Sequence, residues 1–192
     1  MQPASAFVAV CSILAMHLPS PAESTGGTNG KADDLFQFLK SLQDDEVLYT
    51  VKRSYKKNLK ANVGESVLCV ESTKIDANET DARLCTVFKT DQQTGDPFEA
   101  TYTKTDDNTI LGNPGSHKIT VLYVNQEKKC FLVEMGNVSP KAQNPKACDL
   151  LSTNLNTECE TQFKTMCGSQ TEEISTKEGC KGLDKPVCHQ GS

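Results

Sequence analysis

The sequence predicts a mainly-β extracellular domain stapled by disulfide bonds. Three observations carry this: an uncharged apolar stretch at the N-terminus, an even set of cysteines after it, and a series of short alternating runs separated by turn residues.

Residues 1–22 contain no Lys, Arg, Asp or Glu and include the apolar run Ala6 to Met16. The stretch is too short to span a bilayer as a folded helix and ends in Ser20-Pro21-Ala22, a small-x-small pattern that suits signal peptidase. It is expected to be a removable signal peptide, so that the protein is secreted. No second apolar segment approaches the length of a span, and no membrane association is expected.

Cleavage removes Cys11 and leaves eight of the nine cysteines: Cys69, Cys85, Cys130, Cys148, Cys159, Cys167, Cys180 and Cys188. In an oxidising compartment such a set reads as disulfides. The closest pairs have seven residues between them, which is not metal-ligand spacing, so no metal or other cofactor is expected. Asn78-Glu79-Thr80 and Asn137-Val138-Ser139 fit the N-glycosylation pattern and mark Asn78 and Asn137 as surface positions. The hydrophobic fraction of 36% is low for a chain that must bury a core, a shortage that disulfides offset. A formal charge of −5, with both signs interspersed, leaves no basic stripe for nucleic acid.

Residues 23–32, rich in Gly, Ser and Thr, read as a flexible leader, and a single domain is expected over 33–192. Asp33 and Asp34 stand where an N-cap would be. Leu35, Phe36, Phe38, Leu39 and Leu42 then recur at helical spacing up to about Gln43. At Val47 the period changes to two, and Val47 to Tyr55 reads as a strand. Seven similar runs follow: Glu65–Ser72, Arg83–Thr90, Phe98–Thr105, Thr109–Leu111, Lys118–Asn125, Lys129–Met135 and Ala147–Ser152. Turn chemistry separates many of them, as in Thr94-Gly95-Asp96-Pro97 and Gly112-Asn113-Pro114-Gly115. Eight short antiparallel strands suit either a sandwich or a closed up-and-down barrel, and alternation alone favours neither. Asn156 to Met166 has helical spacing with Gly168 as a C-cap, and a loop-rich tail follows.

Several segments resemble one family. A helix runs into Tyr49-Thr50-Val51-Lys52-Arg53-Ser54-Tyr55-Lys56-Lys57-Asn58, Cys69 falls in the second strand, and Cys130 opens the seventh. Cys148-Asp149-Leu150-Leu151 and Cys159-Glu160-Thr161-Gln162-Phe163 complete the series. In order and spacing these are similar to the tick salivary lipocalins that include the histamine-binding proteins. The Gly-x-Trp signature is absent, and the chain has no tryptophan. The resemblance implies an eight-stranded antiparallel up-and-down lipocalin barrel with a short N-terminal helix and a C-terminal helix packed on it. It further implies a bridge from Cys130 to Cys159 and one from Cys69 to the tail at Cys180 or Cys188.

For function, the resemblance implies a secreted, monomeric binder that sequesters a small host mediator inside the barrel, either a biogenic amine such as histamine or serotonin, or an eicosanoid or fatty acid. The alternative is a protein-binding lipocalin that inhibits a host immune or complement protein through its loops. Alternation nominates inward-facing residues: Tyr49, Val51 and Tyr55 on the first strand, Leu84, Thr86 and Phe88 on the third, Phe98, Ala100 and Tyr102 on the fourth, and Ile119, Val121 and Tyr123 on the sixth. The candidate ligand contacts are Tyr49, Tyr55, Asn58, Phe88, Tyr102, Tyr123 and Asp149. In the family an acid shortly after the first-strand tyrosine and another in the Glu-Leu-Trp motif hold the amine. Here the first position is Asn58, the acid that often follows the seventh-strand cysteine is replaced by Phe131, and Asp149 alone remains at a motif position. Glu134 reads as a surface charge. A lipid would want a cation at the mouth, where Lys52 and Arg53 stand, although strand-end basic side chains are usually solvated. No nucleophile, histidine and acid series stands out around His117 and His189, and no enzyme is expected.

The mature protein recovered from a eukaryotic host should begin at Glu23. N-terminal sequencing or intact mass measurement checks this, and retention of Met1 to Ala22 would refute it.

Overall fold

The computed structural model describes residues 27–55 and 65–188. The expected signal peptide, Asn58 and His189 lie outside the described residues. The elements in order are β1 (Gly27–Asn29), α1 (Ala32–Ser41), β2 (Val47–Arg53), β3 (Val67–Ala77), β4 (Asp81–Thr90), β5 (Phe98–Lys104), β6 (Thr109–Asn113), β7 (His117–Asn125), β8 (Cys130–Met135), β9 (Cys148–Ser152), α2 (Glu160–Cys167) and β10 (Glu172–Glu173). From β2 to β9 each strand pairs antiparallel with the next, and β9 pairs back with β2. That last pairing decides for the closed barrel over the sandwich, because a closed meander leaves no edge among its eight strands.

Each wall strand sends alternate side chains to opposite faces. The inward set merges with the apolar face of α1, so that Leu35, Phe36, Phe38 and Leu39, each 1% exposed, share one core with Leu48, Leu84, Ile110, Ile119, Phe131 and Val133. α1 therefore closes one end of the barrel. The backbone N–H of Ala32 donates to Asp107 O at 2.7 Å, Lys104 Nζ pairs with Asp33 at 2.6 Å, and Lys74 Nζ donates to the C-terminal carbonyl of Leu42. Asp33 and Asp34 sit in the first turn rather than at the cap, which Lys31 occupies. There their charge still complements the helix dipole.

A second core lies outside the barrel. Val51, Leu122, Leu132 and Leu150 point outward and pack under Phe163 of α2, which is fully buried. Cys130–Cys159 and Cys148–Cys167 fasten α2 to β8 and β9, while Cys69–Cys180 and Cys85–Cys188 fasten the tail to β3 and β4. The bridge from Cys130 to Cys159 is the one the resemblance implies, and Cys69 takes Cys180 of its two offered partners.

Part of the expected leader is ordered. Gly27–Asn29 forms a strand beside β7. The absence of side chains permits it: a Cβ on Gly30 would stand 2.1 Å from Val121 O, and one on Gly27 would meet the Tyr123 ring at 2.1 Å. Asn78 and Asn137 are both exposed, on the β3–β4 turn and just after β8. Among the described residues no helix is long and apolar enough to cross a membrane.

Replacing Cys148 and Cys167 together by alanine frees a loop spanning 19 residues. Chain entropy puts the cost at about 3 kcal/mol. Urea unfolding of the double variant measures it, and an unchanged midpoint would show that α2 is held by packing alone.

Candidate functional site

The barrel encloses a cavity of about 170 Å³. Its wall is apolar over most of its extent, with Leu84, Phe88, Phe98, Ile119, Phe131 and Val133 among the lining residues, and with Leu35 and Leu39 reaching in from α1. Into this lining project Thr50, Thr86, Tyr102, Arg53 and Asp149. Arg53 and Asp149 are the charged members. Both belong to strand segments remote from α1, because β2 runs away from the helix and β9 runs back toward it.

Arg53 owes its position to an irregularity. The β2–β9 register shifts between Thr50 and Lys52, so one extra residue is absorbed in β2. Thr50 faces inward, Val51 and Lys52 both face outward, and Arg53 returns to the interior. A bulge of this kind reverses the phase of every later side chain. Beyond β2 the pairing is prolonged by Ser54, whose N–H donates to Cys148 O at 2.9 Å and whose Oγ accepts from Cys148 N at 2.8 Å. Tyr55 then bridges to Pro140 and is fully buried in the inner core.

These contacts assemble a buried triad. Tyr55 Oη donates to Asp149 Oδ2 at 2.8 Å, Arg53 Nε lies 3.4 Å from Asp149 Oδ1, and the Arg53 guanidinium sits 5.0 Å from the centre of the Tyr55 ring. Oδ1 of Asp149 is buried and has no hydrogen-bond donor among the described residues. Burial pushes the Asp149 carboxyl above the usual carboxylate range, while Arg53 and the Tyr55 hydroxyl hold it down. Burial and the Asp149 charge raise the Tyr55 phenol well above its usual value, against the pull of Arg53, and push Tyr102 up to about 12. For Arg53, burial opposes the charge, but Asp149, Tyr55 and Glu172 together outweigh it and the guanidinium stays protonated.

Of the nominated contacts, Phe88, Tyr102 and Asp149 line the cavity, and Tyr55 stands behind Asp149 as its hydrogen-bond donor. Tyr49 does not: it lies on the outer face beside the second core, next to Glu71 on β3. Tyr123 also faces outward. The β7–β8 register shifts between Val121 and Tyr123, so Val121 faces in, Leu122 and Tyr123 face out, and Val124 returns to the inner core. Val51 likewise faces outward, in phase with Tyr49 and ahead of the bulge. Asn58 lies outside the described residues. Lys52 and Arg53 are not solvated. Lys52 is buried against Glu160 of α2 at 2.9 Å and Glu173 of β10 at 3.4 Å, and Arg53 is 6% exposed. Glu134 faces outward to Lys146 at 3.1 Å, as a surface charge should. The lining residues that alternation left unassigned include Thr50, Leu35 and Leu39. The apolar helix face was visible in the sequence, but nothing local showed that it plugs a barrel.

Comparison with known proteins adds little to this geometry. No family model matches the chain, and no curated protein matches it significantly. A solved structure described as "The Siderocalin Ex-FABP functions through dual ligand specificities" aligns with 69% of this chain and 93% of that chain, at 11% identity and a TM-score of 0.48.

Replacing Asp149 by alanine leaves the Arg53 charge buried beside an apolar wall and should destabilise the fold by about 3 to 5 kcal/mol. Replacing the pair as R53M/D149L should recover most of that loss. Chemical unfolding of both variants tests this, and equal stability of D149A and wild type would show that the triad is not buried as described.

Proposed function

We propose that this protein is a secreted lipocalin that binds one small amphipathic carboxylic acid inside its barrel, with Arg53 as the counterion for the acid group. The observation that carries the reading is the buried Arg53 guanidinium, which with its partner Asp149 lines a mostly apolar cavity wall. An acid group brought there gains a charge-assisted, two-pronged partner, and its apolar body replaces water along Phe88, Phe98, Ile119 and Phe131. The cavity volume is close to that of an engineered cavity that accepts benzene. A short acyl or aromatic carboxylate is thus a better match than a full eicosanoid chain. On the resemblance to tick salivary lipocalins, such a protein removes a host mediator of this class from extracellular fluid.

A second reading, capture of a biogenic amine, has one observation in its favour: the buried Asp149 Oδ1 has no donor among the described residues. An ammonium group at that oxygen would also lie near the Arg53 cation in an apolar setting, and that repulsion weighs against it. The protein-partner reading draws less support. Val187 is the exposed large hydrophobic residue among the described ones, and no apolar patch surrounds it.

Calorimetry with octanoate, octylamine, octanol, histamine and serotonin separates these readings. Octanoate should bind more tightly than its amine and alcohol analogues. R53Q should weaken octanoate binding by about ten- to a hundredfold, the equivalent of one charge-assisted contact. Preferential binding of an amine, abolished by D149N, would overturn the carboxylate reading, and binding of none of the five would favour a protein partner.

A further inference from the structure

We infer that a carboxylic acid bound in this cavity shares one proton with Asp149, so that binding is coupled to the uptake of a proton from solvent. The inference rests on the carboxylate reading above and adds the chemistry by which the site accepts a second acid.

Among the described residues the cavity wall carries one cation and one anion, Arg53 and Asp149, which already face each other. A ligand carboxylate placed on Arg53 brings a second negative charge beside Asp149. Two carboxylates around one guanidinium in an apolar enclosure repel strongly, because the interior screens charge far less than water does. Such pairs settle by holding a single proton between them. Asp149 has an oxygen suited to this. Oδ2 is already occupied by the Tyr55 hydroxyl at 2.8 Å, whereas Oδ1 is buried with no donor among the described residues. A proton on either acid gives the short O–H···O contact that this oxygen lacks.

The groups around Asp149 leave it as the natural proton acceptor. Arg53 on β2 stays charged, and Glu172, its register partner on β10, also favours that charge. Tyr55, following β2, and Tyr102 on β5 both have phenols raised by burial, so each remains neutral and neither takes up a proton near neutral pH. The Asp149 carboxyl is already lifted by burial and restrained chiefly by Arg53. Engaging Arg53 with a ligand acid weakens that restraint. The sign follows directly: the complex holds more protons than its separated parts, so affinity rises as pH falls and declines as pH rises.

Calorimetry of octanoate across pH 6 to 8, in phosphate and in Tris, reads the coupling from the dependence of the apparent enthalpy on buffer ionisation. Wild-type protein should take up close to one proton per octanoate, with affinity falling by up to about tenfold per pH unit. Octanol, which brings no charge, should bind without uptake. D149N should bind octanoate with no uptake and an affinity flat across the range, since an amide can donate to the ligand acid without titrating. Octanoate binding without proton uptake would overturn this inference and leave the carboxylate reading standing. Uptake that persists in D149N would overturn the role of Asp149. Failure of octanoate to bind wild type would remove both. Should D149N not fold, the comparison of octanoate with octanol on wild type still decides.

Discussion

The interior chemistry of this barrel depends on one extra residue in β2. Without the irregularity at Val51 and Lys52, strict alternation from Thr50 would place Lys52 in the cavity and Arg53 outside. With it, Val51 keeps its place in the apolar layer under α2, Lys52 stays on the same outer face and reaches the acids of α2 and β10, and Arg53 turns inward to Asp149. A lysine inside would have been a flexible, strongly hydrated point charge. The arginine is planar, easier to desolvate and able to present two parallel donors to an acid.

The wall that carries this arrangement is buried on both faces. Over β2, β8 and β9 one set of side chains lines the cavity and the other packs beneath α2, so the local sequence is apolar nearly throughout, as in Phe131-Leu132-Val133 and Leu150-Leu151. Such a wall resists distortion, because movement of a strand disturbs two packed layers at once. It can therefore hold a desolvated ion pair at fixed geometry. The pair supplies polarity without net charge, and Tyr55 fixes one oxygen of the acid while Arg53 faces the other.

Much of the architecture was legible in the sequence because its signals are local. Turn clusters delimit the strands, the spacing of Leu35, Phe38, Leu39 and Leu42 marks a helix, and cysteine parity points to disulfides. Closure of the barrel was not legible from alternation, since it depends on β9 meeting β2 across the whole chain. The site was legible only in part. Phe88 and Tyr102 lie on strands whose period of two runs unbroken along the nominated residues, and their inward placement follows. Tyr49, Val51 and Tyr123 lie on strands interrupted by register shifts, and a phase carried past a shift assigns the wrong face. Arg53 was visible as a strand-end cation, yet general experience of such residues assigned it to solvent. The short strand at Gly27–Asn29, a glycine followed by two polar residues, carries no apolar alternation to reveal it. It forms because backbone can approach β7 where side chains could not.

The pattern of cystines also constrains how the chain is made. Each of the four bridges joins a barrel cysteine to one that lies beyond β9: Cys130 to Cys159, Cys148 to Cys167, Cys69 to Cys180 and Cys85 to Cys188. As the chain is made from its N-terminus, no native bridge can therefore close until every barrel strand has been synthesised. Through that interval Cys69, Cys85, Cys130 and Cys148 are present as thiols with none of their native partners available, and any bond among them is a mispairing that an isomerase must undo. The bridges tie α2 and the tail to the barrel and join no barrel strand to another, so strand order is specified by hydrophobic and backbone interactions rather than by the cystines.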